Sequence, residues 1–372
     1  MRRFVALTLS AVLLTACSDD TASPSPNPTN AAESPGPPAS IPAHPGPGAP
    51  DLAAKPTEVT GLRVPWGLAF LPDGDLLVSE RNSARILQVP KGGGPPREVY
   101  KVPGVQARGE GGLLGLALSP GFATDKYVYA YFTAADDNRI VRFKLGERAA
   151  PQVIFKGLAK GNIHNGGRIA FGPDKLLYVG TGETGQRGLA QDKNSPNGKI
   201  LRLTPDGQPA PGNPTPGSPV YSLGHRNVQG LAWDSAGRLF GIEFGQDTWD
   251  EVNLIEPGRN YGWPVVEGKG DTHGGQYTNP LVTWHTDDAS PSGAAIAGDT
   301  LYVAALRGRR LWVIPLSDGH TGEPKAQFQG TYGRLRSVAV APDGALWVST
   351  SNTDGRGDPK PGDDRLLRFP AK

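Results

Sequence analysis

Cysteine, methionine and long apolar runs are what this sequence lacks. Its 372 residues include one cysteine and one methionine. A single cysteine closes no internal disulfide, which excludes a disulfide-stapled scaffold. After the N-terminus no apolar run approaches the roughly 20 residues of a membrane-spanning helix. Charge is also sparse: 20% of residues are charged and the formal net charge is +2. No basic field for nucleic acid follows from that balance. Glycine (51) and proline (37) are abundant instead, a composition that favours many turns over long helices.

The N-terminus reads as an export signal. Arg2 and Arg3 precede a short apolar stretch, Phe4 to Leu14. Leu14-Thr15-Ala16-Cys17 resembles a bacterial lipobox, so residues 1–16 are expected to be a lipoprotein signal peptide. Cys17 is then the lipid anchor, tying an exported protein to the outer face of a bacterial membrane without spanning it. Residues 17–56 continue with runs such as Ser23-Pro24-Ser25-Pro26 and Pro45-Gly46-Pro47-Gly48. So little apolar surface predicts an extended, disordered tether.

From residue 57 onward a unit repeats: an apolar strand, a Pro-Asp-Gly-type turn, then a second apolar strand. Trp66 to Gly74 with Leu76 to Val78 is the first copy, and Leu114 to Pro120 with Tyr127 to Tyr131 the second. Others are Arg168 to Asp174 with Leu176 to Val179, and Gly230 to Gly237 with Leu239 to Ile242. The last two are Gly293 to Gly298 with Leu301 to Ala304, and Val338 to Gly344 with Leu346 to Val348. A third apolar strand ends most copies. Proline presets φ, aspartate bonds the local backbone and glycine takes positive φ, so each turn has a mechanism. Six copies of this length predict an all-β, six-bladed propeller of four-stranded blades over 57–372. Glu58 to Leu62 is placed to supply the outer strand of the last blade and close the ring. A sandwich pair has no need of six such turns, and an open solenoid usually has shorter repeats.

In a propeller every innermost strand starts at the same end of the central channel. Glu110, His164 with Asn165, Arg226 with Asn227, and Arg334 with Arg336 all fall at that start in their own copies. They predict a polar, basic pocket on the channel axis that suits an anionic ligand. His164, flanked by Asn165-Gly166-Gly167, is a candidate general base. His225 adjoins Arg226 but points the opposite way in an extended segment, which marks it as structural. The acidic, glycine-containing run Phe244 to Glu251 can bind calcium through carboxylate and backbone oxygens, although it lacks EF-hand spacing.

Ile163-His164-Asn165-Gly166-Gly167-Arg168-Ile169-Ala170-Phe171 resembles the active-site segment of the soluble pyrroloquinoline quinone (PQQ)-dependent glucose/sorbosone and aldose sugar dehydrogenases. So, in order, do Gly109 to Gly115, Leu223 to Asn227, Asp250 to Ile255, Asn260 to Pro264 and Arg334-Leu335-Arg336. The resemblance covers about residues 57 to 370. It implies that His164 removes the anomeric hydroxyl proton of an aldose while hydride passes to PQQ. It implies a cofactor site of Glu110, Arg226, Asn227, Arg307, Arg334 and Arg336. Backbone carbonyls of Gly245 and Gln246 would face a calcium ion at the quinone, and Glu251 with the Tyr261 carbonyl a second, structural calcium. Departures are Phe244-Gly245-Gln246 where the family often has His-Gly-Pro, Ile163 before the base, and Thr184 in place of a glutamine. Long insertions of the glucose enzymes are missing, which places the chain nearer the compact aldose dehydrogenases. The competing readings are a calcium-dependent propeller lactonase and a non-catalytic carbohydrate-binding propeller. The aromatic rings of Trp249, Trp263 and Trp284 suit sugar stacking or blade packing. The electron acceptor and oligomeric state have no signature in the sequence.

Overall fold

Each Pro-Asp-Gly turn closes a hairpin through the same contacts. In the first, Leu71 N–H donates to the Asp75 carbonyl (2.7 Å) and Asp75 N–H to Asp73 Oδ1 (3.0 Å). Gly74 stands there at φ +93°, a conformation that glycine adopts freely. The third and sixth copies repeat the pattern, with Asp174 Oδ1 and Asp343 Oδ1 as the acceptors.

A computed structural model describes residues 48–372. It contains six antiparallel sheets arranged as blades. Blade 1 is Pro65–Phe70, Leu76–Glu80, Arg85–Val89 and Arg97–Lys101. Blade 2 is Leu113–Leu118, Tyr127–Thr133, Asn138–Lys144 and Gln152–Leu158. Blade 3 is Arg168–Phe171, Leu177–Gly180, Lys199–Leu203 and Val220–Leu223. Blade 4 is Val228–Trp233, Leu239–Glu243, Trp249–Ile255 and Val282–His285. Blade 5 is Pro291–Ala297, Thr300–Ala305 and Arg310–Ser317, flanked by His320–Thr321 and Lys325–Gln327. Blade 6 is Leu335–Val340, Leu346–Thr350 and Leu366–Phe369, completed by Thr57–Val59 from the start of the domain. The first strand of each blade touches that of the next, and blade 6 returns to blade 1.

The expected ring closure is present. Thr57, Glu58 and Val59 pair with Arg368, Leu367 and Leu366. Packing begins before residue 57, however: Pro50 bridges Ala371, and Asp51 N–H donates to the Pro370 carbonyl (2.8 Å). Proline and alanine at Gly48 to Pro56 gave no strand pattern, yet an open blade edge was there to be paired. The signal segment and Cys17 lie outside the described residues. Among those described, no helix is long and apolar enough to cross a membrane.

The apolar core lies between the blades. Leu76 and Val78 pack toward Trp347 of blade 6, while Leu77 between them packs toward Val128 of blade 2. Alternate residues point to opposite faces, and both faces are covered, so the strand reads as an unbroken apolar run.

The inner strands of every blade but the third share a second device, a register shift near their start. It falls between Pro65 and Leu68, Leu113 and Leu116, Val228 and Gly230, Pro291 and Ala294, and Leu335 and Ser337. Such bulges re-aim side chains out of the ladder. The residues freed here include Trp66, Gln229, Ser292 and Arg336, which meet around the channel.

Candidate active site

Antiparallel blades bring two sets of loops to one end of the channel: the approach to each first strand, and the turn between the second and third strands. The sequence pattern located the first set. His164, in the approach to blade 3, is buried and held at φ +51°, which is uncommon for a residue with a Cβ. Its N–H donates to Glu110 Oε2 (2.9 Å), and its carbonyl accepts from Thr184 N–H (3.2 Å). Its Nδ1 is hydrogen-bonded to the buried carboxylate of Glu183. Nε2 makes no hydrogen bond among the described residues and is not sealed off. A carboxylate on Nδ1 fixes the tautomer and leaves Nε2 free to accept a proton.

Neighbouring blades lock this arrangement. Asn227 Oδ1 accepts from Gly166 N–H (3.0 Å), and Glu183 N–H donates to the Arg226 carbonyl (2.9 Å). A Cβ on Gly182 would stand 2.0 Å from the His164 carbonyl, so only glycine allows the approach. Burial works against the Glu110 carboxylate, but the His164 N–H and the Arg356 guanidinium outweigh it and hold it below its ordinary range. Arg356 Nη1 donates to Glu110 Oε1 (2.8 Å).

Cations gather on the side of blades 6 and 1. Arg334 pairs with Asp354 at 3.1 Å and Arg336 lies 3.8 Å from the same carboxylate. Arg81 Nη2 reaches the Asp354 carbonyl at 3.5 Å. Acids gather on the side of blades 3 and 4, where Glu183, Glu243 and Glu267 surround Arg226. Arg226 donates to Gln246 Oε1 (2.8 Å) and the Phe244 carbonyl (3.2 Å), and its guanidinium lies 5.5 Å from the Trp263 ring.

The loop of the Phe244-Gly245-Gln246 departure is firmly held. Glu267 Oε1 accepts from the N–H groups of Gln246 (2.7 Å), Asp247 (3.3 Å), Thr248 (3.1 Å) and Trp249 (3.1 Å). Gly245 N–H donates to Asp250 Oδ1 (2.9 Å). The carbonyls of Gly245 and Gln246 accept no hydrogen bond among the described residues. Glu251 is buried, accepting from Asn253 Nδ2 (2.9 Å) and Gly268 N–H (2.7 Å), while Asn253 Oδ1 is buried without a partner. Burial, reinforced by Glu243, pushes the Glu251 carboxyl well above the usual carboxylate range. Among the described residues no group of three or more histidine, cysteine, aspartate or glutamate side chains could hold a metal. A cation here would need carbonyl and amide oxygens.

Glu110, His164, Arg226, Asn227, Arg334 and Arg336 therefore converge as the repeat register indicated. Arg307 lies in the blade 5 turn on the same face, largely exposed, with its guanidinium paired to Asp287. Tyr261 has a buried ring stacked 4.8 Å from that of His225, and its hydroxyl donates to the Leu254 carbonyl (2.6 Å). His225 is structural, with Ser222 Oγ at 2.8 Å and Glu243 Oε2 at 2.7 Å. Trp284 packs on Trp312, whereas Trp263 borders the site. Glu183, Arg81, Asp354, Arg356 and Glu267 went unnoticed in the sequence. All but Glu267 come from turns between second and third strands, and that register, read across the six copies, was the signal that could have found them.

A family model for glucose/sorbosone dehydrogenase matches residues 62–367. The aldose sugar dehydrogenase YliI of Escherichia coli is 31% identical over 333 residues, covering 78% of this chain and 88% of its own. The PQQ-bound form of an aldose sugar dehydrogenase from Streptomyces coelicolor superposes with a TM-score of 0.81 at 59% identity, over 87% of this chain and 99% of that one. A putative oxidoreductase (glucose dehydrogenase) from Thermus thermophilus gives 0.78 at 48% identity, over 84% and 99%. With the match spanning the blades and the polar cluster at their common end, the chain belongs to the glucose/sorbosone dehydrogenase family and is an oxidoreductase.

Proposed function

We propose that this protein oxidises aldose sugars to lactones with PQQ and calcium, His164 acting as general base. The observation that carries the reading is the Glu183–His164 pair, its Nε2 free, set against the cluster of buried arginines. The residues present fit a polyanionic cofactor. Arg336 Nε and Asn227 Nδ2 are buried without partners, and the arginines outnumber the acids on their side of the pocket. Free carbonyls at Gly245 and Gln246, and the unpartnered Asn253 Oδ1 beside Glu251, fit a hard cation.

Bound there, PQQ would accept the hydride from the sugar and calcium would polarise the quinone. Arg226, Asn227, Arg334 and Arg336 would hold the cofactor's carboxylates, with Arg307 joining only by leaving Asp287. Glu183 keeps the His164 ring oriented, and Nε2 takes the proton of the anomeric hydroxyl. Glu110 anchors the His164 backbone from the neighbouring blade. We also propose export with a lipid anchor on Cys17, the domain reaching an electron acceptor from its Pro-rich tether.

Cofactor-free protein, mixed with PQQ and calcium, should reduce a redox dye when an aldose is added, and PQQ absorbance should remain with the protein through gel filtration. Absence of both would sink the reading. Cys17→Ser should release the protein from membranes; unchanged retention would exclude the anchor.

A further inference from the structure

The loop that carries Glu183 is built around a buried cation. Lys199 opens the third strand of blade 3 and is fully buried. Its Nζ donates to the carbonyls of Leu189 (2.6 Å), Ala190 (2.9 Å) and Asn197 (2.9 Å), all within the loop from Thr181 to Gly198. These contacts use the three N–H groups of the ammonium. Burial pushes it down to about 8, and Asp192 is the one charged group that opposes the shift. No carboxylate pairs with it among the described residues. A single positive charge set among main-chain oxygens thus organises the loop as a bound metal ion would.

From that charge both arms of the loop lead to Glu183. On one arm, the Leu189 and Ala190 carbonyls end a short 3-10 helix, Arg187–Ala190, where the helix itself offers them no donor. Leu189 N–H donates to the Gln186 carbonyl (2.9 Å), and Gln186 N–H to the Glu183 carbonyl (2.9 Å). On the other arm, Asn197 gives its carbonyl to Lys199 and donates from Nδ2 to the Gly182 carbonyl (2.8 Å). The base of the loop is closed by Thr181. Its Oγ1 donates to the Lys199 carbonyl (3.0 Å) and accepts from Lys199 N–H (3.0 Å). Gly182 is therefore two contacts from the ammonium, and Glu183 three.

We infer that Lys199 is a positioning residue for the base: its ammonium sets the Thr181 to Gly198 loop so that the Glu183 carboxylate meets His164 Nδ1. Without the charge, three carbonyls lose their donor, and nothing ties the Arg187–Ala190 helix to Asn197. Glu183 then loses its support on both sides, and the imidazole its fixed tautomer. The role of His164 as base rests on the function proposed above; the placement of Glu183 by Lys199 does not.

Ring-nitrogen NMR of the histidines in cofactor-free protein reads the pairing directly, with His164→Gln assigning the signal. Native His164 should show a protonated Nδ1 and a bare Nε2, and in Lys199→Met the two tautomers should mix. Loaded Lys199→Met should lose about tenfold in kcat, while KM for the aldose and the affinity for PQQ stay within about twofold. Lys199→Ala supplied with n-propylammonium, the piece that the substitution removes, should regain the native signal and kcat; n-propanol, which lacks the charge, should restore neither. A lowered melting temperature with native His164 signal and native kcat would make Lys199 merely structural and overturn the inference. Recovery with n-propanol as complete as with the amine, or none with either, would overturn it as well. Mixed tautomers in Lys199→Met, together with native protein that neither binds PQQ nor oxidises an aldose, would refute the proposed function and leave the positioning role standing.

Discussion

His164 occupies a backbone conformation that only its surroundings make tolerable. Glu110 takes its N–H, Thr184 its carbonyl and Glu183 its ring. Removing the imidazole should lower kcat by a factor of about 10² to 10⁴, the usual span for a positioned base, while the arginines still retain PQQ. Dye-reduction kinetics beside a PQQ binding titration check this for His164→Ala; lost binding would make the histidine structural. Glu183→Gln should cost less, since the ring keeps a hydrogen bond but loses a fixed tautomer. His164 was legible because a histidine beside Asn-Gly-Gly sits at the same repeat position as arginines and an acid in other copies. Glu183 was not, because nothing within its own loop, Thr181 to Gly198, marks it; only its shared register with Arg81 and Asp354, which also follow second strands, does.

Strands and loops carry the next level. Inner strands approach so closely that a Cβ on Gly115 would lie 2.2 Å from the Gly167 carbonyl. Gly115→Ala should destabilise the fold by about 1–3 kcal/mol or more, measurable by urea denaturation. Second and third strands were readable as apolar runs, being covered on both faces. Outer strands such as Arg97–Lys101 and Lys325–Gln327 are largely exposed, so no hydrophobic period marked them. The blade 6 loop from Ser351 to Arg365 shows how one element serves the site. Burial disfavours the Asp354 carboxylate, but Arg334 and Arg336 outweigh it and hold it below its ordinary value. A depressed acid stabilises above its unfolded value, about pH 4, and that contribution is lost as pH falls through the folded value. Asp354→Asn should therefore unfold more easily than the native protein at pH 7, by about 3 kcal/mol, and converge with it as the pH falls below the folded value of the acid. Calorimetry across that range decides; a constant difference would show that charge is not the cause.

At the scale of the molecule, six blades become one cooperative unit only because the ring is closed. Thr57–Val59 forms the outer edge of blade 6, and Val59 is buried in the cluster that joins blade 6 to blade 1 through Trp347, Leu366 and Leu76. Contact between the first and last parts of the chain is a long-range pairing whose loop-closure entropy is offset by this burial. The turn chemistry announced six copies, and the segment at Glu58 announced the closure. Which blades face each other, and so which cations share the axis, required the closed ring itself. Truncation separates the roles of the N-terminal residues. Removing residues 1–47 should leave the melting temperature and unfolding cooperativity unchanged. Extending the deletion through residue 62 strips Leu366 to Arg368 of their partner and bares an apolar edge. That shorter chain should lose the single transition, melt lower and self-associate. Scanning calorimetry with light scattering on the two truncations measures the difference. Equal melting of both would mean that blade 6 holds its place through Pro50 and the inner strands alone, and that the outer strand contributes nothing to the ring.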